Sequence, residues 1–154
     1  MTTNPVKEIA VGVTERLAMA KLSLSFTVKR SYRPAVTQEQ LGATDADAEP
    51  VPVVTVVAKS RTSSQASRAS IHDDVVVDIG VQAWCLPDDT ARADKLVGFV
   101  GEIVDLLNTA PVAFDGGATV AIEVNTDPIF DPEMLDRSNV FVSVVSATYK
   151  VRCR

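Results

Sequence analysis

The stretch Val75-Val76-Val77-Asp78-Ile79-Gly80-Val81-Gln82-Ala83-Trp84 decides the fold class. Successive side chains of a strand point to opposite faces, so Val75, Val77, Ile79, Val81 and Ala83 line one side, and Val76, Asp78, Gly80, Gln82 and Trp84 the other. This is a strand with one buried face, closed by Pro87. The chain's 25 valines favour sheet, because a β-branched side chain is stiff at χ1 and fits a pleated surface. Val51 to Ala58 is a second valine-rich strand. Leu22, Leu24, Phe26, Val28 and Tyr32 alternate with Ser23, Ser25, Thr27, Lys29 and Ser31, which predicts another strand ending at Pro34. Asp115-Gly116-Gly117 turns the chain into a short strand, Thr119 to Val124. A Pro-rich segment, Thr126 to Asn139, leads to the last strand, Val140 to about Arg152, longer than the usual 5–6 residues and able to cross a sheet and project beyond it.

Two helices flank these strands. Asn4 followed by Pro5 is a start signal: Asn accepts an orphan N–H, and Pro at the first helical position has none to lose. Val6, Ile9, Ala10, Val13, Leu17 and Ala20 then recur at helical spacing. Asp88 or Asp89 caps a second helix whose apolar face is Leu96, Phe99, Val100, Ile103, Val104, Leu106 and Leu107, stopped by Asn108 and Pro111. Gly98 and Gly101 each cost that helix about 1 kcal/mol relative to Ala, which predicts a packing reason such as close approach to the sheet. The order of elements is that of an α+β domain, a mixed or antiparallel sheet of four to five strands with two main helices on one face.

A chain of 154 residues suits one domain spanning 1–154. With 46% hydrophobic and 23% charged residues it is too apolar for a disordered chain and too evenly broken by charge for a membrane span. Fifteen Lys and Arg against 20 Asp and Glu leave a net charge of −5, opposite to the basic footprint of a protein that grips DNA by its phosphates. Met1 to Lys7 has no secretion pattern, and Cys85 and Cys153 read as reduced intracellular thiols.

Two long surface loops are expected. Residues 35–50 are polar and acidic, with Glu39, Asp45, Asp47 and Glu49. Residues 59–74 begin with a serine-rich run, Lys59 to Ser70, whose composition predicts mobility and whose charges are Lys59, Arg61 and Arg68. In an acidic subunit these three cations complement a negative patch on a partner.

Sites for chemistry are sparse. His72-Asp73-Asp74 sets the single histidine beside carboxylates, but adjacent residues of an extended chain point apart and cannot converge on a metal, so a structural role is expected. No nucleophile-elbow pattern surrounds a serine. Asp45, Asp47 and Glu49 lack the glycine and closing glutamate of a calcium loop. Gly98-x-x-Gly101 lies inside a helix, where its N–H groups cannot cradle phosphate. No enzyme, cofactor or metal is expected, and an assembly protein outranks a catalyst.

Several stretches taken together carry a resemblance. They are Arg30-Ser31-Tyr32-x-Pro34 with the valine strand; Ser67-Arg68 through His72-Asp73 into Val77-Asp78-Ile79-Gly80-Val81-Gln82; the helix at 88–108; Asp127-Pro128-Ile129-Phe130-Asp131-Pro132-Glu133-x-Leu135; and the strand from Phe141 to Tyr149. Across most of residues 26–152 the pattern resembles small tailed-bacteriophage proteins, the tail terminators or tail-completion proteins of the neck. Gly98 and Gly101 depart from it, standing where such helices carry larger residues. The resemblance implies a ring, of six subunits, that caps the tail tube, stops its polymerisation and faces the head–tail connector. The virion's tail–neck junction, reached by assembly in the host cytoplasm, is then the location. Genomic DNA would pass through the lumen without specific binding, and no membrane is involved. Lys59, Arg61, Arg68, His72, Asp127, Phe130, Asp131, Phe141 and Tyr149 are the candidate interface residues. A head-side neck protein would share these features, and a small α+β ligand-binding domain or enzyme would instead show a concave apolar pocket with converging polar groups.

Overall fold

In a computed structural model, which describes residues 4–32, 51–68, 70–114, 117–126 and 129–153, the valine-rich stretch is the centre of the sheet. Strand β3 (Ser70–Trp84) pairs antiparallel on one side with β2 (Val53–Ser67) and on the other with β7 (Val140–Cys153). A four-residue strand, β1 (Thr27–Arg30), adds parallel to β2, and β6 (Ala121–Asn125) adds antiparallel to β7, giving the mixed order β1-β2-β3-β7-β6. The α+β expectation is met: five strands, with helices α1 (Pro5–Met19) and α2 (Thr90–Thr109) against one face.

The alternation read from the sequence defines that face. Val75, Val77, Ile79, Val81 and Ala83 are fully buried, as are their neighbours Val54 and Val56 on β2 and Phe141, Val145, Ala147 and Tyr149 on β7. Helix α1 lays Ile9, Ala10, Val13 and Leu17 on this surface, and α2 lays Leu96, Phe99, Val100, Ile103 and Leu107. Burying each large aliphatic or aromatic side chain contributes about 1.5–3 kcal/mol, so the two stripes decide where the helices sit. Their starts follow the sequence signals: Asn4 accepts the Lys7 N–H at 3.2 Å with Pro5 next, and Asp89 accepts the Arg92 N–H at 3.0 Å. Among the described residues no helix is long and apolar enough to cross a membrane.

Four expectations are corrected. The expected loop at 59–74 is instead β-hairpin: β2 runs to Ser67 and β3 starts at Ser70, with Ser63 opposite Asp73 and Ser64 opposite His72. Serine is a weak strand former, but β3, itself held along its length by β7, offers a continuous ladder that overrides local preference. The expected loop at 35–50 lies outside the described residues. The strand expected from Leu22 begins only at Thr27, whose N–H donates to the Pro52 carbonyl; Pro52 has no N–H, so the ladder stops there. The last strand has the expected bounds, Val140 to Cys153, but it does not project beyond its neighbour, since β3 accompanies it from Trp84 opposite Val140 to Ile71 opposite Cys153.

The Pro-rich segment also holds a short helix, α3 (Pro132–Ser138), capped by Asp131, whose carboxylate accepts the Glu133 and Met134 N–H groups at 3.0 and 3.4 Å. Asp131-Pro132 is the same start signal as Asn4-Pro5. Ahead of β6 a two-stranded ribbon forms from β4 (Val112–Phe114) and β5 (Gly117–Thr119). Gly117 has φ +145°, a conformation that suits glycine.

The fourth correction concerns glycine. Gly98 and Gly101 are exposed, and a Cβ at either would meet nothing within 4 Å, so no close approach to the sheet explains them. The close approach is at buried Gly12 of α1, where a Cβ would collide with the Val112 side chain and lie 3.3 Å from the Ala113 carbonyl. Gly98→Ala and Gly101→Ala should therefore each raise stability by about 0.5–1 kcal/mol in denaturant unfolding. Gly12→Ala should lower it, because α1 and β4 must separate.

Candidate functional site

The outer half of the β2–β3 hairpin is an arm, and its geometry starts from one extra residue. Up to Ala58 the helix-side positions of β2 are even-numbered: Val54, Val56, Ala58. At Lys59 the register slips by one, after which Arg61 lies opposite Val75 and Ser63 opposite Asp73. Such a bulge moves the following side chains to the other face. Arg61 and Ser63 thereby reach the helix side, where Asp73, in phase with Val75 and Val77, is completely buried.

Asp73 is the polar centre of this arm. One carboxylate oxygen accepts the Ser63 hydroxyl at 2.6 Å, and the other lies 2.6 Å from Arg61 Nη2. A buried carboxylate without such partners would cost several kcal/mol, which charge-assisted hydrogen bonds offset. On the opposite face Asp78 accepts the Ser146 hydroxyl of β7 at 2.6 Å and lies 3.8 Å from Lys59 Nζ. Two carboxylates of β3 thus tie β2 from the two sides of the sheet. The Lys59 pair is exposed and long, worth at most a fraction of a kcal/mol; the Asp73 cluster dominates.

The expectation of a flexible segment bearing three free cations is corrected accordingly. Arg61 is engaged by Asp73 and Lys59 sits beside Asp78. Arg68, at the hairpin end, makes no ion pair among the described residues. It borders an open cleft of about 410 Å³ lined also by Ser63, Ser64, Gln65 and Ser67. Every described residue of β2 from Lys59 to Gln65 is exposed, and among the described residues no strand pairs beyond Val56 with the edge of β2 that faces away from β3.

His72 and Asp74 turn to the face opposite Asp73, as adjacent strand residues must. His72 is half-buried, with Ser64 on β2 and the backbone of Arg152 on β7 opposite it in register. No three His, Cys, Asp or Glu side chains among the described residues are grouped to hold a metal.

The other candidates lie elsewhere. Phe141 is fully buried with Phe130 stacked on it, centroids 5.7 Å apart, and Asp131 caps α3 and donates its N–H to the Val142 carbonyl. Asp127 lies outside the described residues. Phe141 and the hairpin tip occupy opposite ends of strands about 45 Å long, so the described candidates do not gather at one place. Tyr149 is in the core, fully buried, with no hydrogen-bond partner for its hydroxyl among the described residues and its pKa pushed up to about 12 by desolvation. Cys85 is buried and unpaired, and burial followed by the charge of Asp89 raises its pKa, which disfavours the thiolate. The Cys153 side chain lies outside the described residues.

The Asp73 cluster was missed from sequence, although a signal exists: extending the β3 alternation two residues back places Asp73 among the buried positions. No protein-family model and no curated protein matches this chain.

Arg61→Ala should cost about 2 kcal/mol in urea unfolding, less than for a fully enclosed partner because water reaches the vacated guanidinium position. Lys59→Ala should stay within about 0.5 kcal/mol. Tyr149→Phe removes an unpartnered buried hydroxyl and should gain about 1 kcal/mol. The same variant tests the pH dependence. In wild type the unfolded chain, with a tyrosine pKa of 10.0, loses this proton before the folded one does. Stability therefore falls as pH rises from about 10 to about 12. Tyr149→Phe should show a shallower alkaline decline.

Proposed function

We propose that this chain is a structural subunit of a tailed-phage neck, a tail terminator whose ring caps the tail tube, stops its growth and meets the head–tail connector. The resemblance over residues 26–152 supports the reading, and the arm is the structural observation that carries it furthest. A terminator must offer a stiff surface to a partner while not polymerising itself. The β2 edge away from β3, which no described strand pairs beyond Val56, combines exposed serines and threonine, a bulge, and Lys59 and Arg61. Charge and a bulge are devices that keep a strand edge from indiscriminate pairing, while a matched strand or loop can still dock on it. A net charge of −5 suits a channel wall past which DNA slides without the phosphate contacts that would hold it.

Among the described residues of the arm, Arg68 is the cation that makes no ion pair, so it is the first to test as a contact to such a partner. Arg68→Glu should leave thermal unfolding unchanged and reduce incorporation into tails, more at low salt than at high salt, where screening over about 10 Å or less already weakens steering. His72→Ala should retain function. The assay is complementation of a phage lacking the protein, with joined particles counted against free heads and unjoined tails by electron microscopy. Wild-type protein should restore joining and appear as a ring at one end of each tube. Tubes that neither bind the protein nor change in length would contradict the reading.

A further inference from the structure

The two edges of the sheet are chemically opposite. Around β1, residues 20–32 carry Lys21, Lys29 and Arg30 and no acid of their own; Glu102 of α2 lies against them, accepting the Ser23 N–H and hydroxyl at 3.2 and 2.7 Å, which leaves the cations in excess. Leu22, Leu24 and Phe26 line an open cleft of about 420 Å³ there, and Met19 and Tyr32 are 69% and 76% exposed. The N–H groups of Thr27 and Ser31 donate to Pro52 and Val56 of the β2 side. By alternation, Val28 and Arg30 turn their backbone groups outward. At the far edge, the described residues of β6 and α3 and their connection carry Glu123, Asp131, Glu133 and Asp136 against one cation, Arg137. That edge exposes Ile122, Ile129 and Met134. Large apolar side chains left at both edges, each bordered by charge predominantly of one sign, fit each other better than they fit water.

We propose that a second copy of this chain docks its acidic β6–α3 edge on the basic β1 edge of the first, head to tail, continuing the sheet from subunit to subunit. The proposal rests on the ring reading and names the contact that builds the ring. Head-to-tail contacts between two different patches generate a closed ring when the rotation per subunit closes. Apolar side chains on each edge hold the joint, Val28 and Arg30 offer the backbone groups, and the charges set register and exclude like edges from pairing. Both surfaces belong to one chain and lie at opposite ends of one sheet, so a copy supplies the complement of each.

The test is charge exchange in the full chain, followed by sedimentation velocity and native mass measurement up to millimolar protein, with circular dichroism to confirm folding. Wild type should associate. Lys29→Glu with Arg30→Glu, and separately Glu133→Lys with Asp136→Lys, should each weaken association at least about tenfold. All four substitutions in one chain should restore it, because the edges then match again with signs reversed. Ile122→Lys, at a 59% exposed position, tests the same edge without touching α3 and should also weaken association. Wild type monomeric at millimolar concentration, or edge variants that associate as wild type does, would overturn the proposal. In the second case rings still form and the ring reading survives without this contact; a wild type that forms no ring even on tail tubes removes both.

Discussion

A carboxylate enclosed by the sheet sets the terms for the outer half of this molecule. Asp73 is wholly removed from solvent, and a bare charge there would cost more than the net stability of many domains can bear. Its partners come from β2, and they reach it only because Lys59 is an extra residue that transfers Arg61 and Ser63 to the helix side. Without the bulge Thr62 would face Asp73 and Arg61 would point away. The ion pair therefore selects one register of the hairpin among those a run of serines would otherwise permit. Such specificity is a better-supported role for a buried pair than stability alone.

Most of the sheet and both main helices were legible because their signals are periodic and apolar. Val75 to Ala83 and the stripes Ile9–Leu17 and Leu96–Leu107 each repeat a pattern that burial enforces. The outer hairpin was not legible from composition: serines at 60, 63, 64 and 67 look like a loop, and only the neighbouring strands make them a ladder. The short β1 reflects Pro52 on the partner strand, a constraint invisible in the alternation of residues 22–32. Gly98 and Gly101 show the reverse error, in which a costly residue was assigned a packing role that open space around it denies.

The candidate residues were legible as chemical types and not as a constellation. Lys59, Arg61 and Arg68 were singled out for charge, but pairing across the hairpin gives them three different fates. Phe141 and Tyr149 fall in phase with Val145 and Ala147, which places them in the core. Under the proposed reading, assembly draws on surfaces instead of a site: a polar arm at one end of the long strands, and two sheet edges of opposite charge. A bulged, charged strand edge lets a long arm stay soluble until its partner arrives.

Lys59 to Ser67 is a strand whose register Asp73 holds, and residue-resolved amide hydrogen exchange reads that register residue by residue. In the wild-type protein, amides between Ser60 and Gln65 that face β3 should be protected. In Asp73→Ala that protection should be lost while amides between Val53 and Val57 keep theirs. Free exchange throughout 60–65 in the wild-type protein, or protection there that is indifferent to Asp73→Ala, would contradict the account.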